Sequence, residues 1–311
     1  MSAAQKAYPL ARQPWLDLST GIAPWSYPIG GLDRQCWQRL PAVDALQELE
    51  AAAATCFRLA NPDQIVAVHG SDFALRLLAR LLPAERVMIV GHSYSGYRAA
   101  WPDARTGSFE QARGADLLVC AHPNNPDGTL IDIPCLQRLR NLRIVDEAFA
   151  DAEPEHSLLP NRNGAIVLRS FGKFFGLAGV RLGFVIADKP FAREVRAALG
   201  DWPVSGPAIV IATRAYADFE WQERQRERLK SASARLSDML TRYGIGRIGG
   251  TAFFQLAETS DANNLFVHLC RQGILVRPFS DRPGAIRFGL PGSESEWDRL
   301  DAALNLWREK S

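Results

Sequence analysis

An α/β fold built on a mainly parallel sheet is predicted for this chain, and three features predict it. Helix-like and strand-like segments alternate through the middle of the sequence, as in successive βαβ units. The strand-like runs are short and rich in β-branched residues, as buried strands are. Polar and glycine-rich residues stand at the C-terminal ends of those runs, the edge at which open α/β sheets bind ligands.

In chain order, the first forty residues are rich in Pro and Trp and show no periodicity, and their beginning reads as a tail without regular structure. "SDFALRLLARLL" (residues 71–82) reads as a helix with Ser71 or Asp72 near its N-cap. The apolar run "VMIV" after it reads as a buried strand, and "DLLVCA", "LRIVDE", "AIVLRS" and "GFVIA" continue the series. From Asp218 a long, charged, helix-compatible segment serves as a connector, its charges marking a solvated face. "TAFFQLA", "GILVRPF" and "AIRFGL" then read as strands, closed by the helix-like "SESEWDRLDAALNLW", which together make a smaller α+β unit. The expected division is a large domain over 41–228 and a small domain from 1–40 and 229–311. No internal repeat or low-complexity block interrupts it.

With 311 residues the chain can bury a sizeable core across about two domains. Its 47% hydrophobic and 23% charged residues are ordinary for a globular protein. The 36 basic and 34 acidic residues leave a formal charge of +2, so the overall balance points to neither nucleic acid nor a membrane surface as partner. Five scattered cysteines (Cys36, Cys56, Cys120, Cys135, Cys270) lack C-x-x-C spacing, which suits reduced thiols rather than a disulfide framework or a metal site. No apolar h-region opens the sequence and no run of 18 apolar residues occurs, so a cytoplasmic location is expected.

The chemistry concentrates around one lysine. In "RSFGKFFGLAGVRLGF" (residues 169–184), Lys173 sits among Gly172, Phe174 and Phe175. Desolvation there favours the neutral amine that attack on an aldehyde requires; a lysine whose stem packs on aromatics while its ammonium reaches water is the plainer alternative. Ser170 and Arg181 flank it, and "GLAG" lets the backbone come close, a set able to grip a phosphate monoester beside the amine. One amine plus one phosphate anchor suggests pyridoxal phosphate. Asp146 ends "LRIVD", where a carboxylate can keep a pyridine nitrogen protonated, although a strand-end cap reads equally well from that residue alone. In "HPNNPDG", Asn125 can aim its amide at a ring oxygen, or simply form an Asn-Pro turn. "HGSD" precedes a helix whose free amides can take the phosphate.

Taken in order, "HGSD", "HSYSGY", "HPNNPDG", "VDEAFAD", "RSFGKFFGLAGVRLGF" and "ILVRPF...IRFGLPG" resemble the fold-type I pyridoxal-phosphate enzymes, from about residue 15 onward. The similar branch is that of the histidinol-phosphate aminotransferases and the L-threonine-O-3-phosphate decarboxylases of cobalamin biosynthesis. The resemblance implies a seven-stranded, mainly parallel sheet in the large domain, and a homodimer. It implies that Lys173 carries the cofactor, Asp146 pairs with the ring nitrogen and Asn125 bonds the ring hydroxyl. Tyr94 of "HSYSGY" corresponds to the aromatic stacked on the ring, and Ser71, Asp72, Ser170 and Arg181 to the phosphate end. Arg287 corresponds to the arginine that forks onto the substrate α-carboxylate, with Asn125 beside the substrate.

Within the branch, "WLDLSTGIAPWSYP", "VDEAFADAEPEHSL" and the lysine segment are similar to the decarboxylases, and Phe149 stands where many aminotransferases carry tyrosine. Two departures accompany this. The chain has "SAAQKAYPLARQPW" where those decarboxylases carry an "HGG" segment, leaving Lys6 or Arg12 as substitute cations, and Leu40 where aminotransferases place a tyrosine that reaches the neighbouring subunit. The expected reaction is loss of CO2 from L-threonine O-3-phosphate, a phosphorylated amino acid, with Lys173 protonating Cα and with no metal, nucleic acid or membrane involved. An aminotransferase and a non-catalytic binding module are the alternatives.

Overall fold

The computed structural model of the chain describes residues 1–112 and 114–309. Its apolar runs are strands of a seven-stranded sheet. Ile65–Val68, Leu117–Ala121, Ile166–Ser170 and Gly183–Ile186 are buried at every residue, which is what a sheet covered on both faces demands. The order across the sheet is Ile65–Val68, Gly183–Ile186, Ile166–Ser170, Leu142–Asp146, Leu117–Ala121, Val87–Val90, Arg105–Gly107. Gly183–Ile186 runs antiparallel to both of its neighbours, and the other neighbouring pairs are parallel.

This sheet and its helices form one of two compact units, Ser26–Asn125 with Thr129–Arg226. Its core packs Val66, Val68, Leu75, Leu78, Val119, Ile144, Leu168 and Val185. The strands Ile65–Val68 and Arg105–Gly107 and the helices Val43–Cys56, Lys189–Leu199 and Gly206–Ala217 complete it. The helix expected at 71–82 spans Ser71–Leu81, but its N-cap is Gly70, so Ser71 and Asp72 occupy its first turn instead. Gly70 holds φ +86° and ψ 153° there, a conformation essentially restricted to glycine.

The second unit comprises Met1–Trp25, Pro126–Gly128 and the chain from Glu227 onward. A four-stranded sheet orders Arg277–Pro278, Ala285–Gly289, Phe254–Glu258 and Gly246–Thr251, all antiparallel. The run expected as one strand at 273–279 is split. Ile274–Leu275 pairs in parallel with Leu16–Asp17, and only Arg277–Pro278 joins the larger sheet, because the chain changes partner between them, which periodicity does not encode. The beginning of the chain is helical over Ser2–Ala7, with no buried residue, rather than irregular. The charged segment is the helix Phe219–Arg242. It is more than a connector: Leu229, Leu236 and Leu240 are fully buried, so a narrow apolar stripe packs beneath the charges. Among the described residues no helix is long and apolar enough to cross a membrane, and no cluster of His, Cys, Asp and Glu suits a metal ion.

Candidate active site

A pocket of ≈ 170 Å³ opens at the C-terminal edge of the seven-stranded sheet, and all of its lining comes from the larger unit. That volume suits a single substituted aromatic ring. Each strand delivers residues as it ends: Ser71 and Asp72 follow Ile65–Val68, Tyr94 and Tyr97 follow Val87–Val90, and Asn125 follows Leu117–Ala121. Asp146 and Phe149 come from the end of Leu142–Asp146, and Ser170 and Lys173 from the end of Ile166–Ser170. The antiparallel strand contributes from its beginning, which lies at the same edge, so Arg181 joins the others although it precedes Gly183–Ile186.

One end of the pocket is organised around Asp146. Its Oδ2 accepts from the Tyr97 hydroxyl at 2.9 Å and its Oδ1 from the Ala148 amide at 3.0 Å. Burial pushes the carboxyl up to about 6, while those two donors and the nearby Lys173 pull it down. The Lys173 ammonium lies 5.5 Å from the centroid of the Phe149 ring, a cation–π distance. On the far side of the strand ends, Arg169 is buried between Glu147, at 3.0 Å, and Asp151. Successive side chains point to opposite faces, so this ion triad ties the ends of the two strands that carry Asp146 and Ser170 without entering the pocket lining.

The other end is cationic and rich in donors. Arg181 holds φ +55° and donates from Nη1 to the Ala178 carbonyl at 3.2 Å. A Cβ on Gly70 would stand 2.8 Å from Arg181 Nη2, so the guanidinium rests against the cap of the helix Ser71–Leu81. The first amides of that helix have no carbonyl partner within it, and together with Ser170 they complete an anion cradle. Tyr94 forms a side wall and donates to Asp72 Oδ1 at 3.2 Å. Gly96 makes room for it, since a Cβ there would collide with the Tyr94 ring.

Lys173, Asp146, Asn125, Tyr94, Ser71, Asp72, Ser170 and Arg181 thus share one pocket. Arg287 belongs to the other unit and is not part of that lining. It is buried, donates to the Ser19 carbonyl at 2.7 Å and lies over Phe254. Strand register sets it directly opposite Arg277, and burial together with that second cation lowers its pKa to about 10. Sequence reading missed Tyr97, the residue that touches Asp146. Its signal was available: it lies three residues after Tyr94, and residues at that spacing share a helix face.

A lysine and a buried carboxylate flanking a ring-sized pocket, with an anion cradle at its far end, define a fold-type I enzyme of the aminotransferase-like class. The chain belongs to the family of aminotransferase class I and II, whose model matches residues 31–304. It is 40% identical to the threonine-phosphate decarboxylase of Pseudomonas aeruginosa, across 98% of this chain and 96% of that protein. A threonine-phosphate decarboxylase from Sinorhizobium sp. is 37% identical, across 94% of this chain and 92% of that protein. In fold, it is similar to the histidinol-phosphate aminotransferase of Sinorhizobium meliloti solved in complex with pyridoxal-5'-phosphate: TM-score 0.84, 20% identity, covering 99% of this chain and 94% of that one.

Pyridoxal 5'-phosphate, the cofactor of this family, fits the donor set. The Arg181 guanidinium beside the Gly70 cap and the first amides of the helix Ser71–Leu81 are matched to a phosphate, and the buried carboxylate to a protonated ring nitrogen.

Proposed function

We propose that the protein decarboxylates L-threonine O-3-phosphate to aminopropanol phosphate, as a pyridoxal-phosphate-dependent carbon–carbon lyase of cobalamin biosynthesis. Its similarity to two threonine-phosphate decarboxylases over nearly the whole chain supports the substrate. The observation that carries the chemistry is the convergence of Lys173, Asp146 and the Arg181 cradle on one ring-sized pocket.

When bound, the cofactor supplies an aldehyde for amines and a sink for the electron pair released at Cα. Lys173 would hold it through the ε-amine, and the same amine is placed to supply the proton to Cα. Asp146 keeps the proton on the ring nitrogen, and Asn125 orients the ring through its hydroxyl. Ser71, Asp72, Ser170 and Arg181 serve the phosphate end, the acid by anchoring the Tyr94 wall. Arg287 forks onto the substrate carboxylate, a role suited to a buried guanidinium with a second cation beside it. In this reading the larger unit, Ser26–Asn125 with Thr129–Arg226, acts as the cofactor-binding domain, and the unit of Met1–Trp25, Pro126–Gly128 and the chain from Glu227 onward acts as the small domain.

The protein works in this reading as a cytoplasmic homodimer. The exposed apolar side chains of Trp37, Leu40, Val43 and Trp202 support a covered face on the larger unit, and sedimentation velocity tests it. For the reaction, purified protein loaded with pyridoxal phosphate is offered threonine phosphate, threonine or histidinol phosphate. Release of CO2 from threonine phosphate with no keto acid present is the expected result. Amino-group transfer from histidinol phosphate to a keto acid, without CO2, would instead establish an aminotransferase.

A further inference from the structure

We propose that Tyr97 is a positioning residue for the reaction: its hydroxyl fixes the Asp146 carboxylate and keeps it anionic for the ring nitrogen of the cofactor. The inference rests on the cofactor reading above and adds to it a residue that acts through Asp146 rather than on the substrate.

Asp146 stands where burial works against its charge. It is 7% exposed, and the residues nearest in sequence and space offer it mixed company: Lys173 favours the anion, and Glu147 opposes it. Glu147 is already committed to Arg169, Ser157 and Leu158. The anion is therefore held by two short hydrogen bonds, from the Ala148 amide to Oδ1 and from the Tyr97 hydroxyl to Oδ2. The amide bond spans two residues of one turn and fixes only a local conformation. Tyr97 comes from a different segment, the helix Ser95–Ala100, so of these two donors it is the one that anchors the carboxylate from outside its own turn.

Tyr97 is itself built as a donor. It is 1% exposed, and burial beside Asp146 raises its pKa well above that of an ordinary phenol, which keeps the proton on the hydroxyl. A carboxylate has about four lone-pair sites, so the two bonds leave room for a third donor, the N–H of a pyridinium ring. The Tyr97 ring also meets the Tyr94 ring edge-on, with centroids 5.7 Å apart at 85°. One residue thereby sets both the acid at the end of the ring and the wall along its side.

The test is a double-mutant cycle on the holoenzyme with Y97F, D146N and the double variant, reading the cofactor dissociation constant by fluorescence titration, kcat and KM, and the unfolding midpoint. A hydrogen bond to a charged group corresponds to roughly a 10- to 100-fold effect. Y97F is expected to weaken cofactor binding and lower kcat by about that factor, with KM changed less than about threefold, and to change neither quantity by more than about twofold in the D146N background. Equal losses in both backgrounds, or no loss at all, overturn the proposal. If Y97F fails to fold, 3-fluorotyrosine at position 97 keeps the shape and donates more strongly. Tighter cofactor binding is then expected, and unchanged or weaker binding is contrary. Wild-type protein that takes up no pyridoxal phosphate would instead overturn the cofactor reading itself, a result distinct from the failure of the cycle.

Discussion

The ammonium of Lys173 lies 5.5 Å from the centre of the Phe149 ring, so the amine faces an aromatic surface that carries no phenol. Phe149 is buried and brings no hydroxyl toward the pocket. Adding one would bring a new hydrogen-bond donor into the pocket beside Lys173, where it could change how a bound cofactor holds its electrons. F149Y is expected to lower decarboxylation about tenfold, by the usual magnitude of a hydrogen bond to a charged group, and to raise amino-group transfer. Simultaneous assay of CO2 and pyridoxamine phosphate reads both, and an unchanged ratio would remove Phe149 from any role in reaction choice.

Cofactor affinity should depend on pH through Asp146. Its carboxyl is raised to about 6 chiefly by burial, so the cofactor-free protein takes up a proton there as the pH falls through that value. Pairing with a protonated ring nitrogen requires the anion, so binding must expel that proton, and affinity declines below about pH 6, by up to tenfold per unit. The same raised value means that ionising Asp146 costs the folded, cofactor-free protein stability as pH rises from about 4 to about 6. Titrations of wild type and D146N between pH 5 and 8 should differ in slope only on the acid side.

At the other end, Gly70 and Arg181 act as a pair. G70A forces a side chain into a conformation that costs about 1–3 kcal/mol and drives a methyl group toward the Arg181 guanidinium. The expected result is weaker binding of pyridoxal phosphate, with little change for pyridoxal, which has no phosphate. Equal losses for both ligands would place the defect elsewhere.

The Arg169 triad makes a stability prediction. Arg169, Glu147 and Asp151 are all buried, and removing the cation leaves two buried carboxylates without the charge that offsets them. R169M is expected to cost about 3–5 kcal/mol in denaturant unfolding. A loss below 1 kcal/mol would mean that water or rearrangement relieves the acids.

Much of the site was legible because its residues follow strands directly. A strand run followed by Asp146, or by Ser170 and Lys173, carries its own address, and the sheet brings those addresses to one edge. The antiparallel direction of Gly183–Ile186 was not legible, yet it is what brings Arg181 to that edge. The strand Ile65–Val68 pairs with a segment more than a hundred residues away, and the split of 274–278 depends on Leu16–Asp17. Such pairings are long-range, and no local pattern reports them. The spacing of Tyr97 from Tyr94 was legible, but its tie to Asp146 was not, because the two are distant in sequence and only the fold makes them neighbours. Gly70 as the helix cap was hidden by the stronger local preference for Ser71 or Asp72.

Borohydride reduction of the protein loaded with pyridoxal phosphate, followed by peptide mass spectrometry, probes most directly the covalent bond on which the proposed chemistry rests. A single phosphopyridoxyl addition on the peptide containing Lys173, absent from K173A, is the expected result. Addition at Lys189 or Lys230 instead, or no addition to a protein that still releases CO2 from threonine phosphate, would contradict it.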